Sequence, residues 1–104
     1  MSNFKNVNVD KLANIYYEGK VISRNIFLRD GSKKTLGTML VGEYEFDTKS
    51  RELMEIISGE LFFKIKGDND WNFVKEGMEF YVPKDSSFSL KIMKIVNYTC
   101  SYIL

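Results

Sequence analysis

The chain contains no histidine, and among its 104 residues it has a single cysteine and a single proline. Without an imidazole base, Ser–His and Cys–His nucleophilic catalysis are excluded, as are metal sites built on histidine. One thiol, Cys100, excludes an internal disulfide and every zinc site that uses several cysteines. Because Cys100 is flanked by Tyr98 and Tyr102 on the same face of an alternating run, we predict a buried structural thiol rather than a nucleophile.

Long apolar runs and an excess of charge are also missing. No apolar stretch approaches the roughly 18 residues expected of a membrane helix, and residues 1–5 lack the apolar centre of a signal peptide. The 15 Lys and Arg residues nearly balance the 14 Asp and Glu residues, which leaves a net charge of +1. No strong field therefore favours nucleic acid or an anionic membrane. We expect a soluble, cytoplasmic protein that binds neither.

Aromatic and aliphatic side chains are abundant, and they recur with period two. Hydrophobic residues make up 44% of the chain, including eight Phe and six Tyr, which is enough to fill one core. Alternation over residues 43–47, 61–66, 87–92 and 96–103 predicts strands with one buried face. Further strands are expected at Lys20–Leu28, Thr35–Val41, Leu53–Ile57, Trp71–Val74 and Met78–Val82.

Two stretches leave the secondary structure open. Residues 51–57 also fit one face of a helix, but their shortness and the Ser58–Gly59 turn signal favour a strand. Residues 9–17, with Asp10 as a possible N-cap, are a candidate helical turn before the first long strand. We divide the chain into an N-terminal lead-in, residues 1–15, and a single β-domain, residues 16–104. About nine short strands separated by turn signals predict an all-β sandwich or barrel.

Two short motifs narrow the choice of barrel. The segment 52–61 places Glu52 before the turn glycine Gly59, which resembles the first motif of the cupin superfamily. The segment 77–83 runs from Gly77 to Pro83 and resembles the second motif. Glycine permits the turn dihedrals, and proline ends a strand where no ladder donor is needed. The pair predicts a cupin-like double-stranded β-helix, or jelly-roll barrel.

The histidine ligands of that superfamily are absent here. The corresponding positions hold Phe46, Thr48 and Phe88, so Glu52 remains without partner ligands. One carboxylate does not hold a transition metal. We therefore expect no bound metal, and the metal-dependent oxygenase and sugar isomerase interpretations are disfavoured.

A more specific resemblance covers nearly the whole chain after residue 15. The matching segments, in order, are Tyr17-x-Gly19-Lys20-Val21, Thr35-Leu36-Gly37-x-Met39, Gly42-Glu43-Tyr44-x-Phe46-x-Thr48, Met54-x-x-Ile57-Ser58-Gly59-x-Leu61, Trp71, Gly77-x-x-Phe80-x-Val82-Pro83, Phe88-x-Leu90 and Tyr98-x-Cys100-x-Tyr102. Together they resemble the pyrimidine/purine nucleoside phosphorylase family of small cupins. This resemblance implies a metal-independent homodimer that acts as a pentosyltransferase. Such an enzyme uses inorganic phosphate as co-substrate and no cofactor, releasing a free base and ribose 1-phosphate.

The register and the resemblance together suggest site residues. Glu52 is the candidate catalytic group, because a carboxylate beside the sugar stabilises an oxocarbenium-like transition state. The candidate substrate-binding residues are Tyr44, Phe46, Thr48, Met54, Phe88 and Tyr98. Weaker candidates for the phosphate are Lys33, Lys34, Arg51 and Ser58.

Each of these assignments has a structural alternative. The aromatic residues also fit simple core packing, and Glu52 also fits a bridge between strands. The alternative function is a non-catalytic cupin module that binds a small metabolite.

Overall fold

The computed structural model describes residues 2–104, which form nine antiparallel strands and one 3₁₀ turn at Tyr17–Gly19. The strands are β1 (Asn8–Val9), β2 (Asn14–Tyr16), β3 (Val21–Phe27), β4 (Lys33–Met39), β5 (Gly42–Asp47), β6 (Arg51–Ile65), β7 (Asn72–Lys75), β8 (Glu79–Val82) and β9 (Ser87–Ile103). The all-β class predicted from the alternating pattern is confirmed. No helix within residues 2–104 has the length and apolar character needed to cross a membrane.

Two long strands, β6 and β9, run through both halves of the structure. They pair with each other from Arg51↔Ile103 to Ile65↔Phe88. The other edge of β9 pairs with β4 along its second half and with β5 along its first half. The other edge of β6 pairs with β8 and then with β7. One continuous sheet therefore folds into two facing halves.

The fold between the two halves lies where the register of β6 against β9 shifts, between Ile56 and Leu61. Gly59 occupies this bend with a φ of +98°, a region that L side chains rarely adopt. A Cβ at this position would lie 2.3 Å from the carbonyl oxygen of Ile95. Glycine is therefore required where the two long strands bend together.

The core lies between the two halves and is built by the inward-facing side of each strand. Residues with less than 2% of their surface exposed come from both halves: Val21, Met39, Leu61, Val82, Leu90, Ile92 and Val96. Burying one side chain of this kind contributes about 1.5–3 kcal/mol. The predicted strand at residues 53–57 is confirmed as part of β6, and the helical alternative for residues 51–57 is wrong.

The helical turn expected at residues 9–17 is also wrong. Residues Asn14–Tyr16 instead pair with Val21–Ser23 as strand β2, and the turn follows them at Tyr17–Gly19. Asp10 accepts a hydrogen bond from the Asn25 side chain at 3.0 Å and does not cap a helix. Pairing with β3 thus supplies backbone hydrogen-bond partners for this segment without a helix. The division of the chain into a lead-in and a domain at residue 15 stays a prediction.

Tyrosines then fix the turn after β2 against β5. The Tyr17 hydroxyl donates to the carbonyl oxygen of Glu45 and accepts from the Glu45 amide at 2.8 Å. The rings of Tyr16 and Tyr17 lie edge-on to Phe46, with centroid distances of 5.5 and 5.6 Å. Tyr17 and Glu18 both have positive φ, so the chain reverses sharply here. These contacts hold Tyr16 at one end of the barrel interior.

Candidate functional site

A cavity of about 390 Å³ opens between the two halves of the sheet. This volume falls within the range of small-molecule sites. Its lining residues come from β2, β3, β4, β5, β6, β9 and the connection between β5 and β6: Tyr16, Ser23, Thr35, Met39, Phe46, Asp47, Lys49, Ser50, Glu52, Met54, Phe88, Leu90, Tyr98, Cys100 and Tyr102.

One wall of the cavity is rich in hydrogen-bonding groups, and we call it the polar wall. It consists of six residues on β3, β4, the start of β6 and the second half of β9: Ser23, Thr35, Glu52, Tyr98, Cys100 and Tyr102. The strand register explains the grouping, because Thr35 pairs with Cys100 and Glu52 pairs with Tyr102. Paired residues in an antiparallel sheet project to the same face.

The facing wall has no polar side chain, and we call it the apolar wall. It consists of Phe46 on β5 with Phe88 and Leu90 on β9. The Phe46 and Phe88 rings are tilted against each other at a centroid distance of 6.0 Å. Met39 and Met54 add thioether side chains beside the polar wall. One side of the cavity is therefore suited to hydroxyl groups and the other to a flat apolar ligand.

The remaining lining residues form the mouth of the cavity. Asp47 and Lys49 are exposed, Ser50 is partly exposed, and 45% of the Tyr16 surface remains accessible. Asp47 ends β5, while Lys49 and Ser50 lie in the connection to β6. The charged groups at the mouth thus have opposite signs and remain in contact with solvent.

Glu52 is the one acidic side chain on the polar wall. The Cys100 thiol donates a hydrogen bond to its Oε1 atom at 3.4 Å. Burial raises the pKa of Glu52 above its ordinary value, and the hydrogen bond from Cys100 opposes that shift. The carboxyl group is consequently less acidic than an exposed glutamate, yet it remains accessible from the cavity.

The two tyrosines and the cysteine of this wall stay neutral. Burial raises the pKa of Tyr98, Cys100 and Tyr102, and the neighbouring Glu52 carboxylate adds to the shift. Their O–H and S–H groups are therefore available as hydrogen-bond donors at neutral pH. Tyr102 also lies 3.3 Å from the Thr35 hydroxyl, with either oxygen able to donate.

The position of Tyr98 depends on a glycine in the neighbouring strand. Gly37 pairs with Tyr98, and a Cβ at residue 37 would lie 2.7 Å from both the Cζ atom and the hydroxyl oxygen of Tyr98. The hydroxyl end of the Tyr98 ring therefore lies against the backbone of β4 at Gly37. Gly37 provides the space that brings the Tyr98 hydroxyl into the polar wall.

The structure brings together five of the residues selected from the sequence, and all five line the cavity: Phe46, Glu52, Met54, Phe88 and Tyr98. Tyr44 is a correction, since it is buried outside this cavity and donates a hydrogen bond to the carbonyl oxygen of Leu40 at 2.8 Å. It borders a second, shallower depression next to Tyr17. The roles of the five lining residues stay predictions.

Thr48 is a second correction. Its side chain is buried, and its hydroxyl donates to the carbonyl oxygen of Pro83 at 2.7 Å while accepting from the Ser86 amide at 3.0 Å. The hydroxyl therefore holds two loops together and does not face the cavity. Sequence alternation misplaced it because β5 ends at Asp47, after which the chain turns.

None of the four phosphate candidates lines the cavity. The Arg51 guanidinium lies 4.1 Å from the Tyr81 ring centroid, and Ser58, in the middle of β6, accepts a hydrogen bond from Asn97. Lys34 donates to the Ser101 hydroxyl at 3.0 Å. Lys33 lies 5.0 Å from the ring centroid of Tyr102, beside the polar wall. Three of these side chains have partners outside the cavity lining and Lys33 lies against the Tyr102 ring, which corrects the expectation that the four meet at the site.

Sequence reasoning missed several lining residues as site candidates. Ser23, Thr35 and Met39 lie on β3 and β4, where the period-two pattern indicates which side chains face inward. That pattern could have identified them. Lys49 and Ser50 lie in a short turn, where no periodicity marks a functional side chain.

The residues present do not fit the metal that many cupin barrels hold. Phe46, Thr48 and Phe88 occupy the positions of the missing histidines, and Thr48 points into a loop contact. Within residues 2–104, no three His, Cys, Asp or Glu side chains are grouped as a metal site would require. Glu52 and Cys100 together supply only two such groups.

Solved structures support the barrel assignment. A crystal structure of a protein of unknown function from Acinetobacter superposes with a TM-score of 0.95 and 37% identity, covering 97% of this chain and 98% of that one. A cupin superfamily protein from Desulfitobacterium hafniense superposes with a TM-score of 0.66 and 15% identity, covering 88% and 84%. The second comparison concerns the fold alone. The predicted cupin-like jelly roll is confirmed.

Sequence comparisons identify the family. The family model described as pyrimidine/purine nucleoside phosphorylase matches residues 11–102. Relatives of that name from Leptospira interrogans and Clostridioides difficile are 50% and 52% identical over 103 residues, covering 99% of this chain and 97% and 98% of theirs. With a fold and a cavity that agree with this match, the chain belongs to the pyrimidine/purine nucleoside phosphorylase family.

Proposed function

We propose that the protein is a nucleoside phosphorylase of broad base specificity. It would cleave purine and pyrimidine nucleosides with inorganic phosphate, releasing the free base and ribose 1-phosphate. The observation that carries this proposal is the division of one cavity into a polar wall with a half-buried carboxylate and an apolar wall with two phenylalanines. A nucleoside has the same division, between a hydroxyl-rich sugar and a flat base.

The apolar wall supports broad specificity. Phe46, Phe88 and Leu90 carry no hydrogen-bonding group, and Met39 and Met54 have only weak sulfur acceptors. Stacking on aromatic and thioether groups depends on the flat face of a base rather than on its edges. Purines and pyrimidines both present such a face, so this wall accepts either.

The polar wall supports binding of the sugar. The hydroxyls of Ser23, Thr35, Tyr98 and Tyr102 can donate or accept, and the Glu52 carboxylate accepts. A site built to bond several hydroxyls discriminates against sugars that lack them, because its own buried groups would then stay unpaired. We therefore place the ribose against this wall, with Glu52 near the anomeric carbon.

The reaction requires one bond exchange at the anomeric carbon. A phosphate oxygen forms a bond to C1′ while the bond from C1′ to the base nitrogen breaks, and its electron pair leaves with the base. The hydroxyl proton of the attacking phosphate ends on the base, so charge and atoms balance. Positive charge develops on the sugar during this exchange, and the ionised Glu52 carboxylate stabilises it. Positioning of phosphate and sugar supplies the remaining rate enhancement.

The proposed reaction needs no cofactor and no metal. Phosphate is the nucleophile and the base is the leaving group, so no redox or Lewis-acid step is involved. Inorganic phosphate is accordingly a co-substrate. The non-catalytic alternative, a cupin module that binds a small metabolite, would use the same cavity.

A phosphate-dependence assay separates the two functions. Purified protein incubated with uridine or adenosine should release free base only when phosphate is added, as followed by chromatography. EDTA treatment should leave the rate unchanged. Binding of nucleosides without phosphate-dependent release of base would support the non-catalytic module, and loss of activity with EDTA would contradict the metal-free mechanism.

Glu52→Gln should lower turnover by about a hundredfold, because it removes the charge that stabilises the transition state. It should not lower the melting temperature at neutral pH. Burial raises the Glu52 pKa, so between the unfolded and folded pKa values the native state holds a proton that the unfolded chain has lost, and stability falls as pH rises. The glutamine side chain in the Glu52→Gln variant does not titrate, so the variant avoids this loss of stability at neutral pH.

The same shift sets the pH dependence of the wild-type enzyme. Turnover should fall as the pH drops through the raised pKa of Glu52, at a higher pH than for an ordinary glutamate. The test measures turnover over a pH series and the melting temperature for both the wild type and Glu52→Gln. Parallel losses of turnover and melting temperature in Glu52→Gln would mean that Glu52 is structural.

We also propose that two copies of the chain associate. The outer face of β2, β3 and β4 carries Ile15, Ile22 and Leu36 exposed to solvent, and Ile15 lies directly opposite Ile22. Exposed apolar side chains on three neighbouring strands favour a protein interface. Sedimentation equilibrium should give twice the 12.1 kDa chain mass. A single 12.1 kDa species at micromolar concentration would refute the dimer.

A further inference from the structure

The cavity has a single cationic group among its lining residues, the Lys49 ammonium at the mouth. Within residues 2–104, Lys49 takes part in no salt bridge or cation–π contact, and the Ser50 hydroxyl makes no hydrogen bond. In contrast, Lys34 and Arg51 are engaged with Ser101 and Tyr81. Lys49 and Ser50 are therefore free to bind a ligand that enters the cavity.

The backbone that carries these two side chains is held in place. Immediately before them, the Thr48 amide donates to the carbonyl oxygen of Ser86 at 2.8 Å, and the Thr48 hydroxyl bonds the Pro83 carbonyl and the Ser86 amide. Immediately after them, β6 begins by pairing with the end of β9. A short connection fixed at both ends holds the backbone of Lys49 and Ser50 in place, which reduces the backbone part of the entropy cost of binding.

We propose that inorganic phosphate binds at the mouth of the cavity, with the Lys49 ammonium and the Ser50 hydroxyl as its ligands. This inference rests on the proposed phosphorolysis, for which it supplies the binding site of the nucleophile. Lys49 provides a charge-assisted hydrogen bond and Ser50 a neutral one. Of the lysines and arginines that looked suitable in the sequence, Lys34 and Arg51 are engaged by residues outside the cavity lining. Lys33 lies against the Tyr102 ring and does not line the cavity.

The location also fits the order of groups in the reaction. Glu52 follows Ser50 by two residues and lies deeper in the cavity. A sugar against the polar wall would then have the carboxylate on one side and the phosphate towards solvent. Asp47 and Glu52 both repel an anion, so the Lys49 charge offsets that repulsion. Because the mouth is exposed, added salt should weaken phosphate binding.

The test compares two lysine variants by steady-state kinetics. Lys49→Gln should raise the KM for phosphate by about tenfold, the effect of one lost charge-assisted hydrogen bond at an exposed site. The KM for the nucleoside should stay within about twofold, because Lys49 belongs to neither the polar wall nor the apolar wall that bind it. Lys75→Gln, an exposed position on β7 outside the cavity lining, is the matched control and should behave as wild type. Ser50→Ala should give a smaller rise than Lys49→Gln.

Direct binding of inorganic phosphate, followed by ³¹P NMR without nucleoside, separates the site from the reaction. If wild type and Lys75→Gln bind phosphate and Lys49→Gln does not, the site stands even where no base is released. If base is released with phosphate and Lys49→Gln matches Lys75→Gln in both KM and binding, the site is overturned and the reaction stands. Absence of both phosphate binding and base release in wild type overturns both.

Discussion

The pairing of β6 with β9 is the constraint on which the rest of the structure depends. These strands connect both halves of the sheet, and their common bend at Gly59 turns one half to face the other. The same register sets the polar wall, because it aligns Glu52 with Tyr102 and Met54 with Cys100. A shift of one residue would turn each of these side chains to the opposite face. Fold and site therefore have a common origin.

The cavity combines apolar packing with partly buried hydrogen-bonding groups, two requirements that oppose each other. Its apolar wall is an extension of the core, whereas its polar wall keeps hydrogen-bonding groups partly removed from water. The cost of burying Glu52 is visible in its raised pKa, and the Cys100 thiol supplies a compensating hydrogen bond. Neutral donors on the same wall limit the repulsion around the carboxylate. An anionic nucleophile is consequently better placed at the mouth, where Lys49 meets solvent, than inside.

The sequence predicted the parts of the site that follow from strand alternation. Period-two alternation predicted that Tyr98 and Cys100 share one face, and it predicted the strand that carries Glu52. Thr48 was misplaced because alternation stops where β5 ends. Tyr16 was missed because residues 9–17 were assigned to a helical turn, whereas Asn14–Tyr16 pair with Val21–Ser23 in a short hairpin. Turn residues at the mouth have no periodicity at all.

The central claim is that nucleosides bind inside this cavity, and methionine methyl groups report on it directly. Met39 and Met54 line the cavity, whereas Met78 and Met93 are exposed elsewhere and act as internal controls. In ¹³C-methyl NMR of the labelled protein, titration with uridine or adenosine should shift the Met39 and Met54 signals and leave the Met78 and Met93 signals in place. Unchanged Met39 and Met54 signals at saturating nucleoside would contradict the account.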